Sequence, residues 1–130
     1  MPAERAAAWM AKAENDLLAV DNNLASARVP YDVVCFHCQQ AAEKYLKALL
    51  VSLGRQPLRT HDLLALLQEL RSLLATAPDA EIEQSCILLN PYSIESRYPD
   101  DGATPGIDDA NEARSAAVAV RQWVRSLVLR

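Results

Sequence analysis

Glycine is nearly absent from this 130-residue chain, occurring only at Gly54, Gly102 and Gly106. That leaves no Gly-rich loop to cradle phosphates, and neither a nucleophile elbow nor a Ser-His-Asp order is present. β-Branched residues are also scarce. Val, Ile and Thr together fill 16 positions, whereas Ala (22) and Leu (19) fill 41, a composition that favours helix over strand. No run of about 18 apolar residues occurs, so no transmembrane helix is expected. The opening Met1-Pro2-Ala3-Glu4-Arg5 lacks the charged-then-apolar order of a signal peptide, which predicts a cytoplasmic protein away from membranes. Cysteines number three, an odd count with two inside one apparent helix, which fits reduced thiols better than a secreted disulfide framework. Positive charge is outweighed, with 13 Lys and Arg against 17 Asp and Glu and a net charge of -4. A surface that is basic throughout is thereby excluded, while a local basic patch is not.

The length suits one domain with a single core, and 51% hydrophobic against 23% charged residues is ordinary globular usage. Trp9, Ala13, Leu17, Val20, Leu24 and Ala27 draw one apolar stripe and predict a first helix over 4–27. Arg28-Val29-Pro30 breaks it, and Pro30 is suited to open a second helix that runs to about Leu53. Gly54 supplies a left-handed stop. Thr60 offers a cap to a third helix with Leu63, Leu66, Leu67, Leu70, Leu73 and Leu74 on its buried side. A fourth helix starts after Thr76–Asp79 and carries Ile82, Cys86 and Leu89 up to the Asn90-Pro91 interruption. Residues 97–106 read as a long exposed loop, and Asp108 or Asp109 caps a fifth helix with Ala113, Ala117, Val120, Val124 and Leu127 inward. The expected fold is all-α, an up-and-down antiparallel bundle of about five helices spanning 1–130.

Three groups of residues have chemical potential. Cys35-x-x-Cys38 has redox or metal spacing, but no strand precedes it and no second close ligand pair exists. We therefore expect no metal and no cofactor, and read both thiols as small core fillers. On the second helix His37, Gln40, Lys44 and Lys47 recur at steps of three, four and three, a polar row able to hold a phosphate and read a base or ribose edge. The plainer reading is a solvated face with Glu43 and Lys47 as an i, i+4 pair. Arg55, Arg59 and His61 then lead into the third helix, whose first N–H groups attract anions. Later in the chain, Arg97 and Tyr98 offer a guanidinium and a phenol.

In this sequence FHCQQAAEKYLKALL over 36–50, Thr60-His61-Asp62-Leu63 and Arg97-Tyr98-Pro99 stand in that order. Together with Trp9, Ala13, Asp16, Leu17 and the Tyr31-Asp32 start of the second helix, they resemble the HEPN domain family over about the whole chain. The resemblance implies a compact helical bundle, commonly dimeric, often encoded beside a minimal nucleotidyltransferase, with members that bind nucleotides or cleave RNA as toxins. Ribonuclease members carry an Arg, four to six residues and a His near the start of a late helix. This chain departs from that pattern, because His37 and His61 are its only histidines and none follows Arg97.

Two functional expectations follow, beside a purely structural dimeric module. One is a nucleotide- or RNA-phosphate-binding protein using His37, Gln40, Lys44, Lys47, His61 and Arg97 with a nucleotidyltransferase partner. The other is a metal-independent ribonuclease toxin, with Arg97 stabilising charge and His61 or Tyr98 handling the proton. A homodimer with Arg97 and Tyr98 facing the partner's polar row would join the two half-sites.

Overall fold

The computed structural model describes residues 1–93 and 104–128 of the chain. Five α-helices form, α1 (Pro2–Leu24), α2 (Tyr31–Ser52), α3 (Leu63–Leu73), α4 (Ala80–Leu89) and α5 (Ile107–Val128). A single 3-10 turn over Asn90–Ser93 follows α4, and no strand occurs among the described residues. The all-α expectation is met.

Local chemistry explains where the boundaries depart from the sequence reading. Helix α1 begins earlier than 4 because Pro2 occupies the first helical position, where its missing N–H has no partner to lose. It stops at Leu24 rather than Ala27, because the Ser26 hydroxyl bonds to both backbone groups of Arg28 and turns the chain. Pro30 is the cap of α2 rather than its first residue, its carbonyl accepting from the Val34 N–H at 3.0 Å. At the far end Gly54 takes φ +83, the Gly54 N–H reaches the Val51 carbonyl and the Arg55 N–H reaches that of Leu50, both at 3.0 Å. This paired closure needs a left-handed residue, which glycine adopts at little steric cost.

Asp62, not Thr60, caps α3. Its carboxylate accepts from the Leu64 and Ala65 N–H groups, while the Thr60 hydroxyl accepts from the Asp62 N–H. A carboxylate at the cap also meets the positive end of the helix dipole. In α5 the helix starts at Ile107, and Asp109 sits inside the first turn, reaching back to the Gly106 N–H at 2.8 Å. That is one half of a capping box, with glycine where the usual hydroxyl would stand.

Helix α2 is the spine, with 14 of its 22 residues buried. Leu46, Leu49 and Leu50 meet Leu63, Leu66 and Leu67 of α3 and the alanine-rich face of α5 in one core cluster. Of the residues predicted to face inward, Ala113, Ala117, Val120 and Val124 are buried there, and Leu127 is partly buried against the cluster. Side-chain pairs fix the directions. Asp16 meets His37 and Lys44 while Trp9 lies by Lys47, so α1 and α2 are antiparallel. Asp21 pairs with Arg114 and Glu14 with Arg121, so α1 and α5 are antiparallel as well. Helices α3 and α4 are joined by Arg71–Glu83 at one end and by Asn90 at the other. They return the chain so that α5 can enter beside α2. Among the described residues no helix is long and apolar enough to cross a membrane.

Candidate functional site

The polar row of α2 faces its neighbours rather than open solvent, and two carboxylates organise it. Asp16 of α1 has a side chain only 10% exposed. One of its oxygens meets His37 Nδ1 at 2.9 Å and the other accepts from Lys44 Nζ at 2.5 Å. A carboxylate so buried needs such donors, because an unpartnered charge is costly away from water. Since an ionised carboxylate only accepts, His37 donates from Nδ1, and its Nε2 forms no hydrogen bond among the described residues.

Glu43 centres the second cluster. Its side chain is 5% exposed and lies between Lys47 Nζ at 2.9 Å and His61 Nδ1 at 2.8 Å. Lys47 is itself buried, and its ammonium stands 5.6 Å from the centre of the Trp9 ring. One turn before Glu43, the fully buried Gln39 donates to the His61 carbonyl at 2.8 Å and accepts from Gln40 Nε2 at 2.8 Å. The i, i+4 spacing of Gln39 and Glu43 thus clamps one residue of the following loop by both its backbone and its ring. The His61 side chain remains 70% exposed. Held by Nδ1, it turns Nε2 outward, an arrangement in which a neighbouring acceptor selects the tautomer.

These contacts bring Lys47 and His61 together through Glu43, and His37 and Lys44 together through Asp16. Gln40 joins the first group through Gln39. Arg55 and Arg59 lie exposed in the loop before His61, and neither forms an ion pair among the described residues. The α3 N-terminus itself is taken: Asp62 holds two of its N–H groups, and Asn90 Oδ1 accepts from the Leu63 N–H at 2.9 Å. Asn90 also donates to Asp62 at 3.0 Å, so the cap is braced from the end of α4. Arg97 and Tyr98 lie outside the described residues.

The three cysteines are free and buried. Burial pushes the Cys35 thiol up to about 11 and those of Cys38 and Cys86 up to about 12, which makes them inert fillers at neutral pH. No cluster of three or more His, Cys, Asp or Glu suited to a metal occurs among the described residues. On α5, the Arg121 guanidinium forks onto Glu14 at 2.8 and 2.9 Å, and Glu14 also accepts from the Tyr45 hydroxyl. Hydrogen bonds to Glu14 and Asp21 raise Arg121 and Arg114 further above their ordinary values.

Sequence reasoning overlooks Asp16 and Glu43 as organisers and Gln39 as an anchor. The available signal is position: Asp16 interrupts the apolar stripe of α1, and Gln39 and Glu43 sit one turn apart among buried residues.

Comparison with known proteins places this geometry. A HEPN domain model matches residues 6–127. The crystal structure of ST0689, an archaeal HEPN homologue, is 29% identical with a TM-score of 0.73, covering 95% of this chain and 97% of that one. The crystal structure of TT1696 from Thermus thermophilus is 27% identical with a TM-score of 0.81, covering 94% and 97%. No curated protein matches the chain. With the family model spanning nearly every residue and the helical architecture shared throughout, the chain belongs to the HEPN domain family.

Proposed function

We propose that this HEPN protein binds nucleotide or RNA phosphates and works as a homodimer with a minimal nucleotidyltransferase, in a toxin-antitoxin-like pair. The observation that carries the binding reading is the presentation of His61. Buried Glu43 and Gln39 fix its ring and backbone, while Arg55 and Arg59, exposed in the same loop, form no ion pair among the described residues. Two guanidiniums that stay charged suit phosphate oxygens, and the imidazole on the same loop, donating its Nδ1 proton to Glu43, offers Nε2 as an acceptor for a ribose hydroxyl. The dimer and the transferase partner rest on the family resemblance.

Titration with short single-stranded RNA tests the binding. Arg55→Glu with Arg59→Glu should weaken binding by about tenfold and flatten its salt dependence, and separately His61→Ala should weaken binding by about tenfold without changing the salt slope. Affinity equal to wild type in both variants would sink the reading. Light scattering tests the dimer, with a mass near twice 14.3 kDa expected.

One observation favours a second reading as a ribonuclease. Glu43 holds the His61 proton on Nδ1, which makes Nε2 the base that removing a 2'-hydroxyl proton needs. Arg97 is the residue proposed to stabilise the phosphorane-like charge, and Tyr98 the alternative proton carrier. Growth arrest on expression that persists in both Arg97→Ala and His61→Ala would overturn this mechanism.

A further inference from the structure

We infer that the groove between α4 and α5 receives the first three turns of α1 from a second copy of this chain, a head-to-tail contact apart from the homodimer proposed above. The groove encloses about 580 Å³. Helix α4 lines it with Glu81, Ser85 and Leu88, and α5 with Glu112, Ala116 and Ala119, each set spaced i, i+4 and i+7 along one helix face. Leu88, Ala116 and Ala119 give it an apolar floor, and Ile87 in its lining is 44% exposed. Small side chains on α5 leave the room that a third helix needs to approach. One polar group in the wall has no partner. The hydroxyls of Ser52, Ser72 and Ser126 each donate to the carbonyl three residues before, whereas that of Ser85, a residue only 8% exposed, makes no hydrogen bond among the described residues. No side-chain polar atom among the described residues is both fully enclosed and unpartnered, so the Ser85 hydroxyl opens onto the groove, where an incoming group can reach it.

Charge selects the occupant. Glu81 and Glu112 are the only ionised side chains in the lining, and neither forms an ion pair among the described residues. Tyr92, just past α4, stands near Asp109 and Glu112, so α4 and α5 run antiparallel and the two carboxylates mark opposite ends of the groove. The rise from Glu81 to Leu88 puts those ends about 10 Å apart. A helix that fits carries cations about two turns apart with small side chains between them. This chain has such a helix. Arg5 and Lys12 of α1 are exposed at i and i+7, with Ala7, Ala8 and Ala11 exposed between them, and neither cation forms an ion pair among the described residues. Glu4, the one acid before Glu14, sits in the first turn, where the helix dipole takes up its charge. Glu14 and Asp21, which pair with α5, follow Arg5 and Lys12 by about two and a half turns and so occupy the opposite side of α1. The Arg5 and Lys12 face therefore points away from its own α5, and the contact joins two different surfaces of two molecules. Contacts of that kind add copies in line.

Light scattering against concentration reads the contact. The wild-type mass should climb past twice 14.3 kDa as the protein is concentrated from micromolar to millimolar, and added salt should reverse the climb. Arg5→Glu with Lys12→Glu, and separately Glu81→Lys with Glu112→Lys, should each need at least about tenfold more protein to reach the same mass. In either variant alone both surfaces carry one sign. An equimolar mixture of the two, in which each variant meets the opposite charge on the other, should assemble like wild type. All four positions are exposed, which keeps the fold out of the result. Ser115→Trp, at another exposed position in the lining, should fill the groove and hold the mass down at any salt concentration. A wild-type mass that stays at twice 14.3 kDa throughout would overturn this contact and leave the homodimer standing, whereas a 14.3 kDa monomer throughout would remove both. Assembly that survives either charge reversal, or a mixture that fails to assemble, would overturn it as well.

Discussion

Replacing Lys47 by methionine removes an ammonium from beside a carboxylate that has almost no access to water. The Lys47 side chain is 9% exposed and that of Glu43 5%, with 2.9 Å between them. An exposed i, i+4 pair of this kind is worth about 0.3–0.5 kcal/mol, but stripping one partner from a buried pair costs about 3–5 kcal/mol. His61 still donates one hydrogen bond to Glu43, which places Lys47→Met near the lower end, at about 3 kcal/mol. With a urea m-value of about 2 kcal/mol/M, the midpoint should fall by roughly 1.5 M. Adding Glu43→Gln to Lys47→Met should recover more than half of that loss, because the stranded charge is then gone. A double-mutant cycle by urea unfolding measures the coupling. If Lys47→Met costs less than about 1 kcal/mol, or Glu43→Gln brings no recovery, the pair behaves as a surface contact and the buried clamp on His61 falls.

Alkaline pH should unfold the protein early. The folded chain holds its thiol protons up to about 11 or 12, whereas the unfolded chain releases them above about 9. The thiol contribution is complete below pH 9 and is lost as pH rises toward 12, each tenfold difference in proton affinity between the two states being worth about 1.4 kcal/mol. Stability against pH, measured by chemical unfolding, should therefore fall above 9, and Cys38→Ala with Cys86→Ala should flatten that fall. Gly54→Ala should cost about 1–2 kcal/mol through backbone conformation alone, since nothing lies within 4 Å of the added carbon. Gly54→Leu should then cost about the same in a thermal melt, and a much greater loss would mean steric conflict instead. Asn90→Ala should cost about 1–2 kcal/mol by freeing the Leu63 N–H and unbracing Asp62, read as a lowered melting temperature.

The helices are legible in the sequence because their signals are local. A stripe from Trp9 to Leu24, the Gly54 stop and the leucine face of α3 each lie within a few turns of sequence, and the structure keeps them, except that Leu73 is only partly buried and Leu74 falls just past the helix end. The α3 cap reads as Thr60 from the sequence because both Thr60 and Asp62 are good caps, and the choice depends on Asn90, 28 residues away from Asp62. The row from His37 to Lys47 is legible as a row but not in its surroundings. Periodicity reports which residues share a face, whereas burial depends on what lies across it, here α1 with Asp16 and Trp9. Glu43 reads only as an i, i+4 partner of Lys47, because its bond to His61 crosses a loop whose path the sequence does not encode locally.

The anchor of His61 has a further consequence for how long its orientation lasts. Gln39 and Glu43 belong to the most enclosed helix of the bundle, and their partners reach them from α2 itself and from the loop before α3. A frayed end or an opened loop does not disturb those two side chains; their displacement requires the core itself to come apart. Backbone amides in the middle of α2 should accordingly exchange with deuterated solvent only through whole-molecule opening, orders of magnitude more slowly than those near Arg55 and Arg59. Each time the loop closes, the imidazole then returns to the same anchor, while the two guanidiniums keep the fast motions of an exposed loop. One half of the candidate site waits in position and the other half adapts to what arrives.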